Sequence, residues 1–206
     1  MKNGEKSPSG QAAPVPAGPL RPAPSDWVVR FAPLIPAGAP VLDLACGGGR
    51  HLRLFAERGR PAVGIDIDPR GAADLAGRAG ILVVRGDLEG PAPWPFAAGV
   101  FAGVVVANYL WRPLFDRLAA ALRPGGVLIY ETFGRGNEAF GRPATPAYLL
   151  KPGELLEAVA GRLQVVAYEH GEVARPRAAV VQRLCAVRPP AGTGPAEAPP
   201  SPIPPA

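Results

Sequence analysis

Three aspartates and an asparagine recur at nearly even spacing through the middle of the chain. Asp43, Asp66, Asp87 and Asn108 are separated by 23, 21 and 21 residues, and each lies within or just after a short run rich in Val, Ile and Leu. One strand and one helix occupy a comparable length, so all four side chains should reach the same edge of a parallel sheet. Carboxylates at that edge suit a ligand with hydroxyl, amino or positively charged groups.

A glycine-rich loop follows the first of these runs. The segment VLDLACGGGRHLRLFAERG, residues 41–59, passes through glycines at 47–49 into a helical pattern. Glycine lets the backbone take positive φ or approach a ligand closely. A dinucleotide fingerprint, G-x-G-x-x-G, would need a third glycine where Leu52 stands, and Asp43 is poorly suited to a pyrophosphate. The loop therefore favours a ligand without phosphate.

S-adenosylmethionine has the groups that these residues could bind. It carries an ammonium, a sulfonium, a ribose diol and an adenine, and no phosphate. Asp66 suits the ribose hydroxyls, because an ionised carboxylate only accepts hydrogen bonds. Asp87 suits the adenine amino group, while the Leu88 amide and nearby apolar side chains hold the ring.

The scaffold that must position these side chains is an α/β sheet. Apolar runs predict seven strands at 41–45, 62–67, 81–86, 103–109, 126–133, 163–170 and 177–187. Helical patterns lie at 25–35, where Ser25 is the predicted N-cap, 50–58, which Gly59 should end, 68–78, 111–122 and 152–161. Strands that alternate with helices should be parallel and covered on both faces. The last two runs are too close for a helical crossover, so the final strand should be antiparallel.

Four segments, in order, resemble the motifs of class I S-adenosylmethionine-dependent methyltransferases. They are VLDLACGGGR (41–50), VGIDIDP (63–69), RGDLEG (85–90) and LRPGGVLIYETF (122–133). The resemblance covers about residues 40–188 and implies a doubly wound, Rossmann-like sheet of seven strands, ordered 3-2-1-4-5-7-6 with strand 7 antiparallel. It departs at Ala45, where the family usually has glycine. Within the family the chain is most similar to small bacterial methyltransferases of the tellurite-resistance type.

The resemblance also implies a set of cofactor-binding residues. Carried onto this sequence, that set is Asp43, Ala45, Cys46, Gly47, Gly49, Asp66, Ile67, Gly86, Asp87, Leu88 and Asn108. Cys46 is predicted to be a small buried residue and no nucleophile, because a small buried cysteine is the commoner case. His51 is interpreted as a surface histidine, with contact to the methionine carboxylate as the alternative.

Catalysis in this family usually sits after strand four, where this chain has Asn108 and Tyr109. The tetrapeptide NYLW differs from the Asn-Pro-Pro-Tyr type, which counts against methylation of adenine N6 or glutamine N5. Glu131 is a candidate base or ligand for a cationic acceptor; the alternative is a structural carboxylate paired with Arg135 or Arg142. A good leaving group makes alignment the main requirement, and a base is needed only if the acceptor must lose a proton.

Four residues are predicted on the acceptor side: Trp111, Arg112, Arg135 and Arg142. The last two belong to the loop 134–143, in which glycines flank both arginines. That loop is either a lid whose arginines meet an anionic group of the substrate or a mobile surface loop.

Composition limits the domain organisation, the kinds of site and the cellular setting that the chain can have. Residues 1–24 and 189–206 are rich in Pro, Ala, Gly and Ser and are predicted to be disordered, leaving one domain at 25–188. Two cysteines exclude a disulfide framework, and no spacing typical of metal ligands is present. No apolar run reaches the length of a membrane span, and no leader is recognisable, so we expect a cytoplasmic protein without membrane contact.

The sequence therefore predicts a methyltransferase, monomeric or homodimeric, that uses S-adenosylmethionine and acts on a small-molecule acceptor. The net charge of +5 keeps a tRNA or rRNA methyltransferase as an alternative, although the arginines are scattered singly. A non-catalytic protein that binds S-adenosylmethionine is a third possibility. A nicotinamide-dependent oxidoreductase is disfavoured by the missing fingerprint.

Overall fold

The computed structural model describes residues 21–205, which form one seven-stranded sheet in the order β3-β2-β1-β4-β5-β7-β6. Its strands are β1 (Val41–Leu44), β2 (Ala62–Asp66), β3 (Ile81–Arg85), β4 (Phe101–Ala107), β5 (Leu122–Phe133), β6 (Gln164–Val173) and β7 (Ala179–Val187). β1 to β5 pair in parallel, and β7 is antiparallel to both β5 and β6. The predicted order and the antiparallel final strand are thus confirmed. β6 consequently runs in the same direction as β5 and ends at the same edge of the sheet.

Within residues 21–205, four α-helices cover the sheet: α1 (Asp26–Phe31), α2 (Arg50–Glu57), α3 (Phe115–Ala121) and α4 (Glu154–Val159). Ser25 caps α1, with its hydroxyl 3.5 Å from the Val28 N–H that donates to it. Gly59 follows α2 with φ of 64° and donates its N–H to Ala56 O. Both predicted caps are therefore confirmed.

Three predicted helices are partly or wholly 3-10 in the structure. The span 25–35 continues after α1 as a 3-10 helix over Ala32–Leu34. The span 68–78 is a 3-10 helix over Pro69–Leu75, in which a Cβ on Gly71 would come within 2.9 Å of the Gly48 Cα. Glycine at 71 therefore serves close packing against the glycine-rich loop, at a cost in helix propensity. The span 111–122 begins as a 3-10 turn, and its last residue, Leu122, already pairs with Phe101 in the sheet.

The helices pack on opposite faces of the sheet. Alternate residues of β4 separate the two cores: Val104 and Val106 face the cluster with α3 and α4, whereas Val105 faces the cluster with α1 and α2. All three valines are fully buried. A strand buried on both faces explains the continuous apolar runs of the sequence, and the doubly wound arrangement is confirmed.

The segment that follows β7 has no helix or strand but contacts the domain. Gln164 Nε2 donates to Ala198 O at 2.8 Å, and Arg30 Nε donates to Pro204 O at 3.1 Å. The disorder assigned to residues 189–206 stays a prediction, and that assigned to 1–24 falls mostly outside the described residues. No helix within 21–205 has the length and apolar character needed to cross a bilayer.

Candidate active site

Two cavities open at the carboxyl edge of the sheet. The smaller one, the β2–β3 cavity, has a volume of about 380 Å³ and is lined by Ala45, Asp66, Ile67, Gly86, Asp87, Leu88, Glu89 and Tyr109. The larger one, the β5–β7 cavity, has a volume of about 500 Å³. Its lining comes from residues 22–26, Arg50, Asn108, the end of β5, the β6–β7 turn and the start of β7. The shared edge is where ligands of open α/β sheets bind.

The smaller cavity brings together most of the residues predicted from the sequence motifs. Asp66 and Asp87, predicted to reach the same edge, both line it. The carboxylate of Asp66 also organises the glycine-rich loop: Oδ2 accepts the Gly47 N–H and Oδ1 the Asp68 N–H, both at 2.8 Å. Because a carboxylate has about four acceptor positions, Asp66 can still accept hydrogen bonds from a ligand.

Positive φ angles recur through the glycine-rich loop, at 53° for Ala45, 48° for Gly47 and 74° for Gly49. Ala45, the departure from the family pattern, therefore holds a left-handed conformation that glycine adopts without strain. A Cβ on Gly47 would have no atom within 4 Å, whereas one on Gly49 would lie 2.9 Å from Ala72 Cβ. The loop is thus open at Gly47 and closely packed at Gly49.

The histidine interpreted as a surface residue is buried, so that interpretation was wrong. His51 is 3% exposed; its Nε2 accepts the Ser25 N–H at 3.3 Å, and its Nδ1 lies 3.5 Å from Asp43 Oδ1. An Nε2 that accepts leaves the ring proton on Nδ1, facing the carboxylate. Asp43 is thereby fixed beneath the loop, and its Oδ2 is buried without a hydrogen-bond partner among the described residues.

Cys46 is a buried structural residue, as predicted. Its side chain is 6% exposed, and burial, together with the charges of Asp43 and Asp66, raises the pKa of the thiol to about 12. The thiol therefore stays protonated at neutral pH and is a poor nucleophile. Its backbone N–H donates to Ile65 O at 3.1 Å, which joins the loop to β2.

The two cavities meet at the turn after β4. Asn108 has φ of 58° and lines the larger cavity, while the next residue, Tyr109, lines the smaller one. The Tyr109 hydroxyl is buried and has no hydrogen-bond partner within residues 21–205. Burial, and secondarily the charge of Glu89, raises the pKa of Tyr109 above its ordinary value. Tyr109 is therefore a neutral hydrogen-bond donor on the side of the smaller cavity.

Glu131 lines the larger cavity and is paired with an arginine other than the predicted ones. Arg183 Nε lies 3.1 Å from Glu131 Oε2, so the partner is neither Arg135 nor Arg142. Glu131 is 8% exposed, and its carboxylate is held at the cavity wall by β7. The role of base or acceptor ligand assigned to Glu131 stays a prediction.

The four residues predicted on the acceptor side line neither cavity; they are Trp111, Arg112, Arg135 and Arg142. Arg112 is engaged elsewhere: it forms an ion pair with Glu154 and donates to Ala147 O and Leu149 O at 2.6 and 3.0 Å. These contacts tie the loop before α4 to the turn after β4. Arg112 therefore has a structural role.

Replacing Arg112 with alanine should lower stability and leave the chemistry of the folded protein unchanged. The variant loses hydrogen bonds to two carbonyls and leaves the largely buried Glu154 carboxylate without its partner, which should cost about 1–3 kcal/mol. Urea denaturation measures this loss. Arg135→Ala, on an exposed side chain, is the matched control and should be nearly neutral. Unchanged stability of the Arg112 variant would contradict the structural role.

The loop 134–143 is fixed at its centre. Asn137 is 2% exposed; its side chain accepts the Val180 N–H at 3.2 Å and donates to Pro143 O at 2.8 Å. Arg177 donates to Arg142 O at 2.9 Å, which adds a link to the β6–β7 turn. These contacts favour a loop held against β7 over either a mobile segment or a lid.

Several residues of the larger cavity were missed from the sequence. They are Arg50, Arg175, Arg177 and Arg183. In the smaller cavity, Glu89 was missed. A signal for two of them was present. Because β6 runs parallel to β5, the turn that carries Arg175 and Arg177 had to lie at the same edge as the aspartates.

Comparison with known proteins agrees with this geometry. A family model described as a methyltransferase domain matches residues 19–178, more than half of the chain. The chain belongs to this methyltransferase family. Trans-aconitate 2-methyltransferase of Rhizobium meliloti (strain 1021) is 40% identical over 103 residues, which are 47% of this methyltransferase and 38% of that relative. This chain thus spans well under two thirds of that relative's length.

Two solved structures share the fold of this methyltransferase. Geranyl diphosphate C-methyltransferase from Streptomyces coelicolor A3(2), in complex with S-adenosyl-L-homocysteine, has a TM-score of 0.59 and 17% identity, and covers 79% of this chain and 76% of that one. TehB from Haemophilus influenzae has a TM-score of 0.63 and 16% identity, and the match covers 79% of this chain and 61% of TehB. Family and fold together identify S-adenosylmethionine as the cofactor.

The smaller cavity of this methyltransferase fits that cofactor. Asp66, Asp87 and Glu89 line it, and none of the described residues that line it is a lysine or arginine. Such a wall repels phosphate and suits a cationic nucleoside. The Tyr109 hydroxyl, buried and without a partner among the described residues, adds a hydrogen-bond donor. Asp43, predicted to bind the cofactor, is buried beneath the loop and lines neither cavity.

Proposed function

We propose that this methyltransferase transfers a methyl group from S-adenosylmethionine to a small-molecule acceptor in the β5–β7 cavity. The observation that carries the proposal is the pair of cavities that meet at Asn108 and Tyr109. The second cavity, at about 500 Å³, has the size of a site for a small organic molecule. An acceptor held there would face the cofactor across a single turn of backbone.

The chain's residues divide between the two ligands. Asp66 would accept hydrogen bonds from the ribose hydroxyls, and Asp87 from the adenine amino group. The bound cofactor supplies an electrophilic methyl carbon on sulfur. Asn108 would orient the acceptor, and Glu131 would take the proton that a hydroxyl or amine acceptor releases. The main contribution is alignment of the two reactants and exclusion of water.

Some of the similar proteins are named for small-molecule acceptors, which supports such an acceptor, while others are named for ribosomal protein L11 or tRNA. The sequence relative is named for trans-aconitate and one structural neighbour for geranyl diphosphate. The likeness to TehB is one of fold, and it supports the tellurite-resistance type as the finer part of the proposal. A monomer or homodimer in the cytoplasm is part of the proposal, as expected from the sequence.

A ligand panel followed by a transfer assay tests the proposal. Thermal unfolding with S-adenosylmethionine, S-adenosylhomocysteine, NAD or NADP should show stabilisation by the two adenosyl compounds alone, because a selective ligand stabilises by mass action. Radiolabel from methyl-labelled S-adenosylmethionine should then enter a filtrate of small metabolites and be absent from tRNA and rRNA. Stabilisation by NAD alone, label in RNA, or binding without transfer would each contradict the proposed function.

A further inference from the structure

We propose that the acceptor carries an anionic group, a carboxylate or phosphate, which Arg175 and Arg177 bind at the mouth of the β5–β7 cavity. The inference rests on the proposed function, since it takes this cavity as the acceptor site. It assigns a substrate class that neither the family nor the fold determines. The two arginines lie in the turn between β6 and β7 and line the cavity with Pro176 between them.

The charges in the cavity do not balance. Four arginines line it, against the two carboxylates of Asp26 and Glu131. Arg183 is neutralised within the protein, because Glu131 and Glu169 approach its guanidinium at 3.1 and 3.4 Å. This pair removes one cation and one anion from the count and leaves an excess of positive charge.

The excess positive charge lies on Arg175 and Arg177, which are outside the cofactor loop. Arg50 directly follows Gly49 and begins α2, which places it beside the cofactor loop. Arg175 and Arg177 come from the β6–β7 turn, and neither forms an ion pair with any residue that the structure describes. Two cations without acidic partners, converging on one cavity, form a site for an anion.

The guanidinium of Arg177 is held in place before any ligand arrives. Its Cζ lies 5.1 Å from the centroid of the Phe133 ring, and its Nη2 donates to Arg142 O at 2.9 Å. Stacking on an aromatic ring and one backbone hydrogen bond fix the plane of the group while other N–H donors stay available. A fixed guanidinium loses less freedom when it binds a carboxylate or phosphate through two hydrogen bonds.

The surface beside the arginines is apolar. Phe133, Val173 and Val181 line the cavity next to the turn. Asn108 and Glu131 supply polar groups of the same cavity at the carboxyl ends of β4 and β5. The acceptor that fits this arrangement has an anionic end toward Arg175 and Arg177, an apolar body against Phe133, and a reactive end toward Glu131.

Calorimetry with three probes tests the anion site. Protein saturated with S-adenosylhomocysteine is titrated with 3-phenylpropionate, its neutral amide 3-phenylpropanamide, and 2-phenylethyl phosphate. At least one of the two anions should bind roughly tenfold or more tightly than the amide, since hydrogen bonds to charged groups exceed those to neutral ones by this order. Whichever anion binds more tightly distinguishes a carboxylate from a phosphate as the recognised group.

Two variants, a double substitution at the site and a single substitution elsewhere, locate the site. The double variant Arg175→Gln, Arg177→Gln should bind both anions as weakly as the amide. Arg78→Gln, on an exposed arginine between the 3-10 helix Pro69–Leu75 and β3, at the opposite edge of the sheet, should keep the preference. Equal binding of anion and amide, no anion binding at millimolar concentration, or a preference that survives the double substitution would overturn the inference.

Failure of the anion site can be distinguished from failure of the proposed function. S-adenosylhomocysteine affinity is measured for each protein in the same series, and each titration is repeated without it. Cofactor binding that is normal while the anions show no preference would refute the anion site alone. Failure of the wild-type protein to bind S-adenosylhomocysteine would refute the proposed function, and the titrations without it would still judge the anion site.

Discussion

Asp66→Ala should weaken S-adenosylmethionine binding at least about tenfold, because a carboxylate that accepts two hydrogen bonds contributes more than the 1.4 kcal/mol that this factor represents. The variant also loses the acceptors for the N–H groups of Gly47 and Asp68. Both donors can turn to water at this partly exposed site, so the fold should survive. Calorimetric titration gives the affinity, and thermal unfolding of the ligand-free protein shows that the fold is intact.

Asp68→Ala is the matched control for this variant. Asp68 lies two positions further along and faces Arg70, and it is absent from the lining of the β2–β3 cavity. Removal of this exposed carboxylate should leave cofactor affinity within about twofold, as expected for a surface charge outside the site. Equal losses in the two variants would mean that general loss of negative charge, and not the contact of Asp66, sets the affinity.

Gly49→Ala should be the most damaging small substitution in the glycine-rich loop. Gly49 has φ of 74°, and its added Cβ would lie 2.9 Å from Ala72 Cβ and 3.0 Å from Leu75 Cδ1. The left-handed conformation costs about 1–2 kcal/mol for a residue with a side chain, and overpacking about 1–3 kcal/mol more. The free energy of unfolding in urea should therefore fall by about 2–5 kcal/mol.

Two further alanine variants separate strain from packing. Gly59 has φ of 64° and no atom within 4 Å of a Cβ, so Gly59→Ala should show the strain alone, at about 1–2 kcal/mol. Gly47 is equally open but adjoins the cofactor site through Asp66, so Gly47→Ala should lose cofactor affinity in addition. If Gly49→Ala were no more destabilising than Gly59→Ala, the close packing against Ala72 would not contribute to stability.

The fold was predictable because its signals are local and periodic. Short apolar runs mark strands buried on both faces, and the spacing of Asp43, Asp66, Asp87 and Asn108 gives the repeat of strand and helix. The connection before β7 is too short for a crossover, which determines its direction. The cofactor motifs predicted the lining of the smaller cavity on the same basis, since Asp66 and Asp87 are placed by the strands that precede them.

The acceptor side was less predictable because its contacts join segments distant in sequence. Arg112 was expected at the substrate, but its guanidinium reaches Glu154 forty-two residues away. Glu131 pairs with Arg183 across the antiparallel β5–β7 ladder, a partner that sequence proximity to Arg135 obscured. Burial of His51 likewise depends on the segment around Ser25, which folds over the start of α2.

The left-handed turn after β4 has a consequence for how the two reactants assemble. The Asn108 N–H donates to Glu131 O, and the Tyr109 carbonyl accepts the Tyr130 hydroxyl, both at 2.9 Å. The Asn108–Tyr109 peptide thus borders both cavities. A ligand that fixes this peptide from one cavity also fixes it for the ligand of the other cavity. Thermodynamic linkage makes this benefit mutual. Occupancy of either cavity should promote occupancy of the other, so that the methyl donor and the acceptor should bind together as a ternary complex.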